Sequence, residues 1–357
     1  MIHRRKTRTV SVGNVMIGSG HPVSVQSMTK TDTAEVRATV DQIHELENAG
    51  CEIVRVAVKD PGAARAISDI KSEVSIPLVA DIHFDWRLAV EAAARGADKI
   101  RVNPGNIYKK DEVDRVIDAA ASAGIPVRIG VNSGSLKGGG APAGKLPRRM
   151  ADSALEYLEF FRKKDFNDII ISLKASEVPA TVKAYELLAA ECEYPLHIGV
   201  TAAGLPEEGI VKSSIGIGSL LMKGIGDTVR VSLTGDPVLE VRSARRILTA
   251  VGSRNFGPQI ISCPTCGRCQ VDLVSIVKEL EKQLQQDTRY KIQDTDKQLI
   301  IAIMGCEVNG PGEARDADIG IAFGRDRGAI FAHGEVIKTV RVDEALSELL
   351  KMIREEI

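Results

Sequence analysis

The sequence predicts an α/β protein: a (β/α)8 TIM barrel followed by a small α+β domain. Over roughly the first 250 residues, short β-branched runs alternate with alanine-rich segments of helical period. Hydrophobic residues make up 44% of the chain but aromatic residues only 4%, a balance typical of buried parallel strands packed by helices. The pattern changes after about residue 254. We therefore expect a barrel domain over residues 1–253 and a second domain over residues 254–357.

Eight candidate strands account for a closed barrel in number, size and order. They span residues 23–28, 53–58, 78–83, 99–103, 127–132, 169–174, 196–201 and 228–234. The clearest helical segments between them span residues 35–48, 63–72, 111–123, 153–164 and 237–250. Gly50, Gly96, Gly124 and Gly224 precede strands, as expected of helix C-caps.

An open doubly wound sheet is the rival architecture. It predicts a G-x-G-x-x-G turn after the first strand, which residues 27–30 do not resemble. Residues 9–17 predict a β-hairpin around Gly13-Asn14 that plugs the bottom of the barrel. The glycine- and proline-rich residues 134–147 predict a long loop and a candidate lid over the top face.

The C-terminal domain should combine a sheet with two helices. Strands are predicted at residues 259–262, 299–304, 319–323, 329–332 and 336–340, with a hairpin turn at His333-Gly334. Helices are predicted at residues 271–286 and 343–356. A domain of this size gains stability from a bound metal group.

Composition excludes several functional classes. The net charge is −1 with mixed signs, so no nucleic-acid surface is indicated, and no apolar run is long enough to span a membrane. We expect a cytoplasmic protein. Six cysteines in 357 residues do not indicate a disulfide scaffold, and Cys51 and Cys192 are interpreted as partly buried thiols in a reducing compartment.

Basic side chains interrupt the apolar strands of the barrel and are expected near their C-terminal ends, where barrel enzymes carry their chemistry. They are Arg55, Arg101, Arg128, Lys174 and Arg230, with Asn132 and Ser232 among the polar residues beside them. Too few carboxylates share those ends to neutralise them. An anion of two to four charges is therefore expected, and a diphosphate matches guanidinium forks best.

Two further features of the barrel bear on its site. Asp81 and His83 lie two residues apart on one strand, which suits a carboxylate–imidazole pair or two groups that line one wall, with a satisfied core histidine as the alternative. Lys212-Ser213-Ser214 could begin a helix whose N-terminus binds phosphate, although an ordinary capped helix explains it equally well.

A cysteine constellation near the C-terminus predicts a metal site. Cys263, Cys266 and Cys269 repeat at C-x-x-C spacing, and Cys306 ends a later apolar run. A structural zinc site or a four-cysteine iron–sulfur cluster would use all four thiolates. A third interpretation uses Cys263, Cys266 and Cys306 with Glu313 as a labile fourth ligand. The spacing leaves the choice open and favours iron–sulfur over zinc.

Several segments together resemble the family of 4-hydroxy-3-methylbut-2-enyl diphosphate synthases, iron–sulfur enzymes of the non-mevalonate isoprenoid pathway. The resemblance extends from about residue 4 to the C-terminus. It is carried by VQSMT at 25–29, DIHF at 81–84, RVNPGNI at 101–107, RIGVNSGSL at 128–136, GDTVRVSL at 226–233, CPTCGR at 263–268 and NGPGE at 309–313.

The resemblance implies a TIM barrel joined to a reductase-like domain that holds a [4Fe–4S] cluster. The family's ligands correspond to Cys263, Cys266, Cys306 and Glu313, and its diphosphate-binding residues to those named above at the strand ends. It also implies a head-to-tail homodimer, with each cluster domain over the partner's barrel. The sequence shows no flavin or nicotinamide motif, so a small protein such as flavodoxin or ferredoxin is expected as electron donor.

This chain departs from the family pattern at three positions. Residues 201–204 read Thr-Ala-Ala-Gly, so Ala202 replaces the family's acidic residue. Glu307 stands where the family is usually apolar, which would tend to lower the cluster's reduction potential. Cys269 is not part of the pattern.

The expected activity is reductive ring opening of 2-C-methyl-D-erythritol 2,4-cyclodiphosphate, with Glu313, Asp81 and His83 as candidate catalytic residues. Two rival functions remain. One is a non-catalytic cluster or zinc protein whose barrel senses an anion, and the other is a barrel lyase or aldolase that forms a Schiff base on Lys174.

Overall fold

A computed structural model describes residues 3–136, 143–286, 298–306 and 317–355. The chain divides into two compact units, Met1–Arg254 and Asn255–Ile357.

Eight parallel strands of the first unit form one sheet. In chain order they are β3 (Ser24–Met28), β4 (Ile53–Val58), β5 (Leu78–Ile82), β6 (Lys99–Val102), β7 (Val127–Asn132), β8 (Ile169–Lys174), β9 (His197–Ile198) and β10 (Thr228–Val229). The order across the sheet is β8-β7-β6-β5-β4-β3-β10-β9. A parallel bridge between Ile171 and Leu196 brings the two edges together, so the sheet is a nearly closed barrel. The predicted (β/α)8 fold is confirmed.

A helix follows each strand of this sheet. The helices are α1 (Val36–Asn48), α2 (Pro61–Glu73), α3 (Trp86–Ala94), α4 (Lys110–Ala123), α5 (Leu146–Arg162), α6 (Val178–Glu191), α7 (Pro206–Met222) and α8 (Pro237–Ala250). Gly50, Gly96, Gly124 and Gly224 follow helices with positive φ angles, which confirms their predicted role as C-caps.

The predicted hairpin at the bottom of the barrel is also confirmed. Strands β1 (Val10–Val12) and β2 (Val15–Ile17) pair antiparallel across a turn at Gly13, where φ is 55°. Their buried side chains pack in one cluster with Ile53, Val79 and Ile170, which lie at or near the starts of their strands. The hairpin therefore closes the N-terminal end of the barrel.

Strands β9 and β10 are shorter than the predicted runs at 196–201 and 228–234. The regular ladder stops before Gly199, where a Cβ atom would collide with the carbonyl oxygen of Arg230 and lie 2.9 Å from Lys174 Nζ. The Arg230 carbonyl and the Lys174 side chain therefore approach the backbone closely where the ladder ends, a long-range contact that β-branched runs do not reveal.

Helix α7 begins earlier than the sequence suggested. Its first residue is Pro206, so Lys212 lies within the helix and Ser213 is buried in its side. The prediction of a phosphate-binding N-terminus at Lys212-Ser213-Ser214 is therefore wrong. Pro206 with Glu207 and Glu208 is the start signal that was overlooked.

Part of the predicted lid, at 137–142, lies outside the described residues, and its function as a lid stays a prediction. On either side, short 3-10 turns span Ser133–Ser135 and Ala143–Lys145 before α5 begins.

The second unit contains a five-stranded mixed sheet. Its strands, in both chain and sheet order, are β11 (Gln259–Ser262), β12 (Ile300–Met304), β13 (Ile319–Phe323), β14 (Arg327–Ala332) and β15 (Glu335–Arg341). The first three run parallel and the last two antiparallel, with His333 and Gly334 at positive φ in the predicted turn. Helices α9 (Leu273–Gln286) and α10 (Ala345–Glu355) share one core with the sheet. The predicted α+β architecture is confirmed.

None of the helices in the described ranges is long and apolar enough to cross a membrane.

Candidate active site in the barrel and cysteine site

The five predicted anion-binding cations all lie inside the barrel. Arg128 is 1% exposed, Arg101 5% and Lys174 7%, and the side chains of Arg55 and Arg230 are each 11% exposed. Such burial of positive charge is costly unless carboxylates or a bound anion compensate.

The positions of these cations along the strands differ from the prediction. Lys174 ends β8 and Arg230 directly follows β10, as expected, but Arg55 lies in the middle of β4 and Arg128 near the start of β7. Placing Arg55 and Arg128 at C-terminal strand ends was therefore wrong. The side chains nevertheless lie close together: burial lowers the pKa of Arg128 most, and the Arg55 guanidinium lowers it further.

Asp81 is the carboxylate at the centre of this group. Its Oδ1 accepts a hydrogen bond from Arg101 Nη1 at 3.0 Å, and its Oδ2 lies 3.5 Å from Arg55 Nε. Burial would raise the pKa of Asp81, but Arg55, Arg101 and Arg128 together outweigh burial and hold the pKa well below its usual range. Asp81 is consequently a permanent anion that orients two arginines.

A second buried carboxylate, Glu240 on α8, was missed by the sequence analysis. Its Oε2 accepts from Arg230 Nη2 at 3.3 Å and from Ser27 Oγ at 3.1 Å. Its Oε1 accepts from the Leu233 backbone N–H at 3.0 Å and lies 3.3 Å from Lys30 Nζ. The available signal was an acidic residue beside Val241 and Ala244 on the apolar face of a helix.

Two carboxylates do not satisfy the cations. Among the described residues, Arg128 Nε and Nη1, Arg101 Nε and Arg230 Nε are buried with no hydrogen-bond partner. Arginine stays protonated at any ordinary pH, so these donors require an acceptor. The barrel interior therefore has a surplus of positive charge suited to a polyvalent anion.

Glycines make room for the charged side chains. A Cβ atom at Gly130 on β7 would lie 2.5 Å from Arg101 Nε, and one at Gly199 would lie 2.9 Å from Lys174 Nζ. Any larger residue at either position would displace a cation.

Lys174 has a partner that the sequence analysis overlooked. Its Nζ lies 3.2 Å from Nε2 of His197, which is wholly buried. A histidine at the start of a predicted strand gave no distinctive signal, because a satisfied core histidine has the same pattern.

The remaining predicted barrel residues lie around this group. Asn132, at the end of β7, is the register partner of Lys174, and both Asn132 and Ser232 are half-buried. His83 directly follows β5, with Nε2 3.9 Å from Asp81 Oδ2 and 43% of its side chain exposed. The predicted proximity of Asp81 and His83 is thus observed, with only the carboxylate buried.

In the second unit, the cysteines follow two adjacent parallel strands. Cys263 directly follows β11, and Cys306 follows β12 by one residue. The backbone N–H of Gly305 points at Cys263 Sγ at 3.3 Å, and the N–H of Gln270 donates to the Gly305 carbonyl at 2.9 Å. The turn that carries Cys266 and Cys269 therefore folds back onto the segment that carries Cys306.

This donor set fits an iron–sulfur cluster. Cys263, Cys266 and Cys269 are free thiols, and Cys266 is exposed. Soft thiolates after the ends of adjacent strands, with a backbone N–H directed at one sulfur, are typical of such sites. Cys269 lies beside Gly305, and a side chain at Gly305 would collide with the Cys269 sulfur. The position of Cys269 therefore does not exclude it as a cluster ligand.

Two acidic residues of the predicted site, Glu313 and Glu307, lie outside the described residues. Within the described part of the chain, no group of three His, Cys, Asp or Glu side chains is arranged as a ready metal site. Ala202 is exposed in the segment after β9 and has a φ of 50°, an unusual value for a residue with a side chain.

Solved structures share the barrel fold. A dihydropteroate synthase from Stenotrophomonas maltophilia aligns with a TM-score of 0.51 at 16% identity, covering 69% of this chain and 98% of that one. At this identity the likeness concerns the fold alone.

Curated relatives match over the full length. Proteins named 4-hydroxy-3-methylbut-2-en-1-yl diphosphate synthase (flavodoxin) include one from Caldanaerobacter subterraneus, 50% identical over 363 residues and all of both chains. Another, from Nitratidesulfovibrio vulgaris, is 51% identical over 358 residues, covering 100% of this chain and 90% of the relative.

Two family descriptions match in tandem. The GcpE TIM-barrel domain matches residues 7–245, and the GcpE protein C-terminal domain matches residues 259–355. With full-length relatives at half identity, the chain belongs to the GcpE family.

Proposed function

We propose that this protein is an oxidoreductase that converts 2-C-methyl-D-erythritol 2,4-cyclodiphosphate to 4-hydroxy-3-methylbut-2-enyl diphosphate. The observation that carries the proposal is the barrel interior, where the five predicted cations are buried and, among the described residues, the carboxylates of Asp81 and Glu240 pair with three of them. The same activity is named in relatives that match this chain over its full length. The reaction takes up two electrons, breaks the C2–O bond to phosphate and releases one hydroxyl as water.

The cations bind the diphosphate in this proposal. Arg55, Arg101 and Arg230 are held by carboxylates, so their remaining N–H groups are directed in advance toward the ligand. Arg128 and Lys174, which are also buried, complete the set of basic residues around the diphosphate. Asn132 and Ser232 are proposed to add neutral hydrogen bonds.

Proton handling is assigned to His83 or to bound water rather than to Asp81. An aspartate whose pKa is held well below its usual range carries no proton to donate near neutral pH. Half-exposed His83, 3.9 Å from that carboxylate, can both hold a proton and exchange it with solvent.

The cluster ligands in this proposal are Cys263, Cys266, Cys306 and Glu313. Support comes from the two cysteine segments that follow adjacent strands. A [4Fe–4S] cluster bound there supplies the two electrons one at a time. Cys269 remains an alternative ligand because its sulfur lies against Gly305.

We include a flavodoxin or ferredoxin as electron donor, since the relatives' names specify flavodoxin. The head-to-tail homodimer and the cytoplasmic location belong to the same proposal. No nucleic acid or membrane partner is invoked.

The test is anaerobic turnover of the cyclic diphosphate by the iron-reconstituted full-length protein, with a chemical reductant and detection of the open-chain product. Product formation supports the proposal. A protein that holds four irons and binds substrate, yet yields no product, contradicts it.

Cys306→Ser separates the proposal from its rivals. Turnover should be lost while binding of inorganic diphosphate to the barrel is retained. An anion sensor would show binding without turnover in the unaltered protein as well. A Schiff-base enzyme would keep its activity in Cys306→Ser, and borohydride would trap a carbonyl substrate on Lys174.

A further inference from the structure

Lys174 and His197 form a buried pair whose two facing nitrogens cannot both donate a hydrogen bond to each other. Lys174 Nζ lies 3.2 Å from His197 Nε2, and the two residues are 7% and 0% exposed. A lysine ammonium can only donate hydrogen bonds, so the histidine nitrogen that faces it must be an unprotonated acceptor. The geometry therefore does not accommodate a proton on both facing nitrogens.

The pair is held firmly in place. His197 Nδ1 lies 3.4 Å from Thr228 Oγ1, which can accept its N–H. The hydroxyl of Tyr185 donates to the His197 carbonyl at 2.6 Å and accepts from the Leu173 N–H at 3.0 Å. Tyr185 thus ties the residue before Lys174 to His197 and sets the spacing of the pair.

The charges around Lys174 oppose a proton on its amine. The cations are Arg55 on β4, Arg101 on β6, Arg128 on β7 and Arg230 after β10. The nearby carboxylates, Asp81 on β5 and Glu240 on α8, pair with arginines, and no described carboxylate lies within ion-pair distance of Lys174. Burial is the main reason that the pKa of Lys174 lies well below its ordinary value, and the charges of Arg128 and Arg230 lower it further.

His197 adds no charge of its own to the cations around Lys174. Burial is the main reason that the pKa of His197 lies well below its ordinary value, and Lys174 and Arg128 lower it further. The imidazole therefore stays neutral. A bound anion reverses the balance at Lys174, because its negative charge favours the ammonium form.

We propose that Lys174 and His197 act as a pair that takes up one proton from solvent when an anion enters the barrel. The proton adds to the Lys174 amine, which then donates to His197 Nε2 and to the anion, and no covalent bond to carbon changes. The inference rests on the proposed function only in identifying the natural anion as the substrate diphosphate.

Proton uptake makes anion affinity depend on pH in a definite direction. Between the pKa of Lys174 in the free barrel and its higher pKa in the complex, the association constant falls by up to about tenfold per pH unit as the pH rises. Below the free-state pKa, Lys174 is already protonated and this dependence disappears.

The experiment measures binding of sulfate to the full-length protein by calorimetry between about pH 7.5 and about pH 9.5. Sulfate does not titrate in this range, and the range lies above the ordinary pKa of a histidine side chain. We expect the association constant to fall steadily with pH. Lys174→Arg, which keeps a charge that cannot titrate, should bind sulfate with no pH dependence of this kind.

Lys99→Met is the matched control. Lys99 is wholly buried in the same barrel, its pKa is also lowered well below the ordinary value, and its Nζ has no partner among the described residues. The pH dependence should survive this substitution. If it disappears there, Lys99 takes up the proton and the proposal is wrong.

The proposal is also overturned by a pH-independent affinity in the unaltered protein, or by a full pH dependence in Lys174→Arg. Should the arginine be too large to fold beside Gly199, Lys174→Met should likewise bind sulfate without this pH dependence, at lower affinity. His197→Phe should lower sulfate affinity about tenfold, and unchanged affinity would remove His197 from the pair. Sulfate binding needs neither cluster nor turnover, so failure here is distinguishable from failure of the proposed activity.

Discussion

Two buried carboxylates determine how the barrel tolerates its positive charge. Asp81 contacts Arg55 and Arg101, and Glu240 contacts Arg230, so each carboxylate fixes guanidiniums that would otherwise repel one another. These ion pairs stabilise the fold and orient the ligand-binding groups together. Substitutions at either residue should therefore affect stability and binding at once.

For Asp81→Asn we expect a loss of about 3–5 kcal/mol in the free energy of unfolding, since the change leaves two buried guanidiniums without a counter-ion. Urea denaturation measures the loss. Asp118→Asn, which removes an exposed ion pair with Lys164, is the control and should change stability little.

The same variant has a predicted pH dependence. The folded-state pKa of Asp81 is depressed, so its stabilisation is present above the unfolded-state pKa of about 3.9 and is lost as the pH falls through the folded value. The stability difference between the unaltered protein and Asp81→Asn should be constant above about pH 5 and shrink in more acidic solution. A difference that shrinks near neutral pH would contradict this assignment.

Ala202, at the position where the resemblance implies an acidic residue, has a φ of 50°. We expect Ala202→Glu to raise kcat by up to about tenfold, because a carboxylate near the barrel mouth can assist proton transfer. Ala202→Gly relieves the backbone strain without adding a carboxylate and serves as the control. Equal kcat values in both variants would attribute any gain to the backbone rather than to acid–base chemistry.

At the scale of strands and helices, the periodicity of the sequence was sufficient to identify the barrel. Strands β4, β7 and β8 span the same residues as predicted, because their β-branched runs are buried on both sides. The position of each charged residue along its strand could not be predicted equally well. Arg128 was assigned to a strand end but lies near a strand start, since a long side chain can reach a site that its Cα does not border.

The residues that sequence analysis missed share a physical cause. Glu240, His197 and Tyr185 belong to the site through contacts across the sheet or from a helix behind it. Such contacts depend on which strands become neighbours, and no local pattern encodes them. The basic residues that interrupt the apolar strands could be read from the sequence, but the residues that support them could not.

A substitution at Gly199 would test how closely the chain is packed beside Lys174 and Arg230. Gly199→Ala places a Cβ 2.9 Å from Lys174 Nζ and against the Arg230 carbonyl. We expect a loss of about 1–3 kcal/mol in the free energy of unfolding, together with weaker sulfate binding. Gly218→Ala, on α7, meets only Val251 at 3.8 Å and should be neutral or slightly stabilising. Similar losses in both variants would refute a special role for Gly199.

The whole molecule consists of two units with separate hydrophobic cores. The core of the second unit is built from α9, α10 and its own sheet, and spans about 100 residues. The net stability of a unit of this size is small enough for a tightly bound ligand to change it measurably. A cluster bound by cysteines from two segments of this unit would stabilise its folded state selectively, because ligands contribute to stability only where they bind.

We therefore predict two unfolding transitions in calorimetry of the full-length protein, of which only one responds to iron. Reconstitution with iron and sulfide should raise the transition of the second unit, and chelation or Cys306→Ser should lower it, while the barrel transition stays unchanged. Cys192→Ser replaces a buried barrel thiol and should leave iron content and the cluster-dependent shift intact. A common shift of both transitions would mean that the units unfold cooperatively. An iron-independent second unit would instead place the metal outside the four proposed ligands, because binding there must stabilise the strands that precede Cys263 and Cys306.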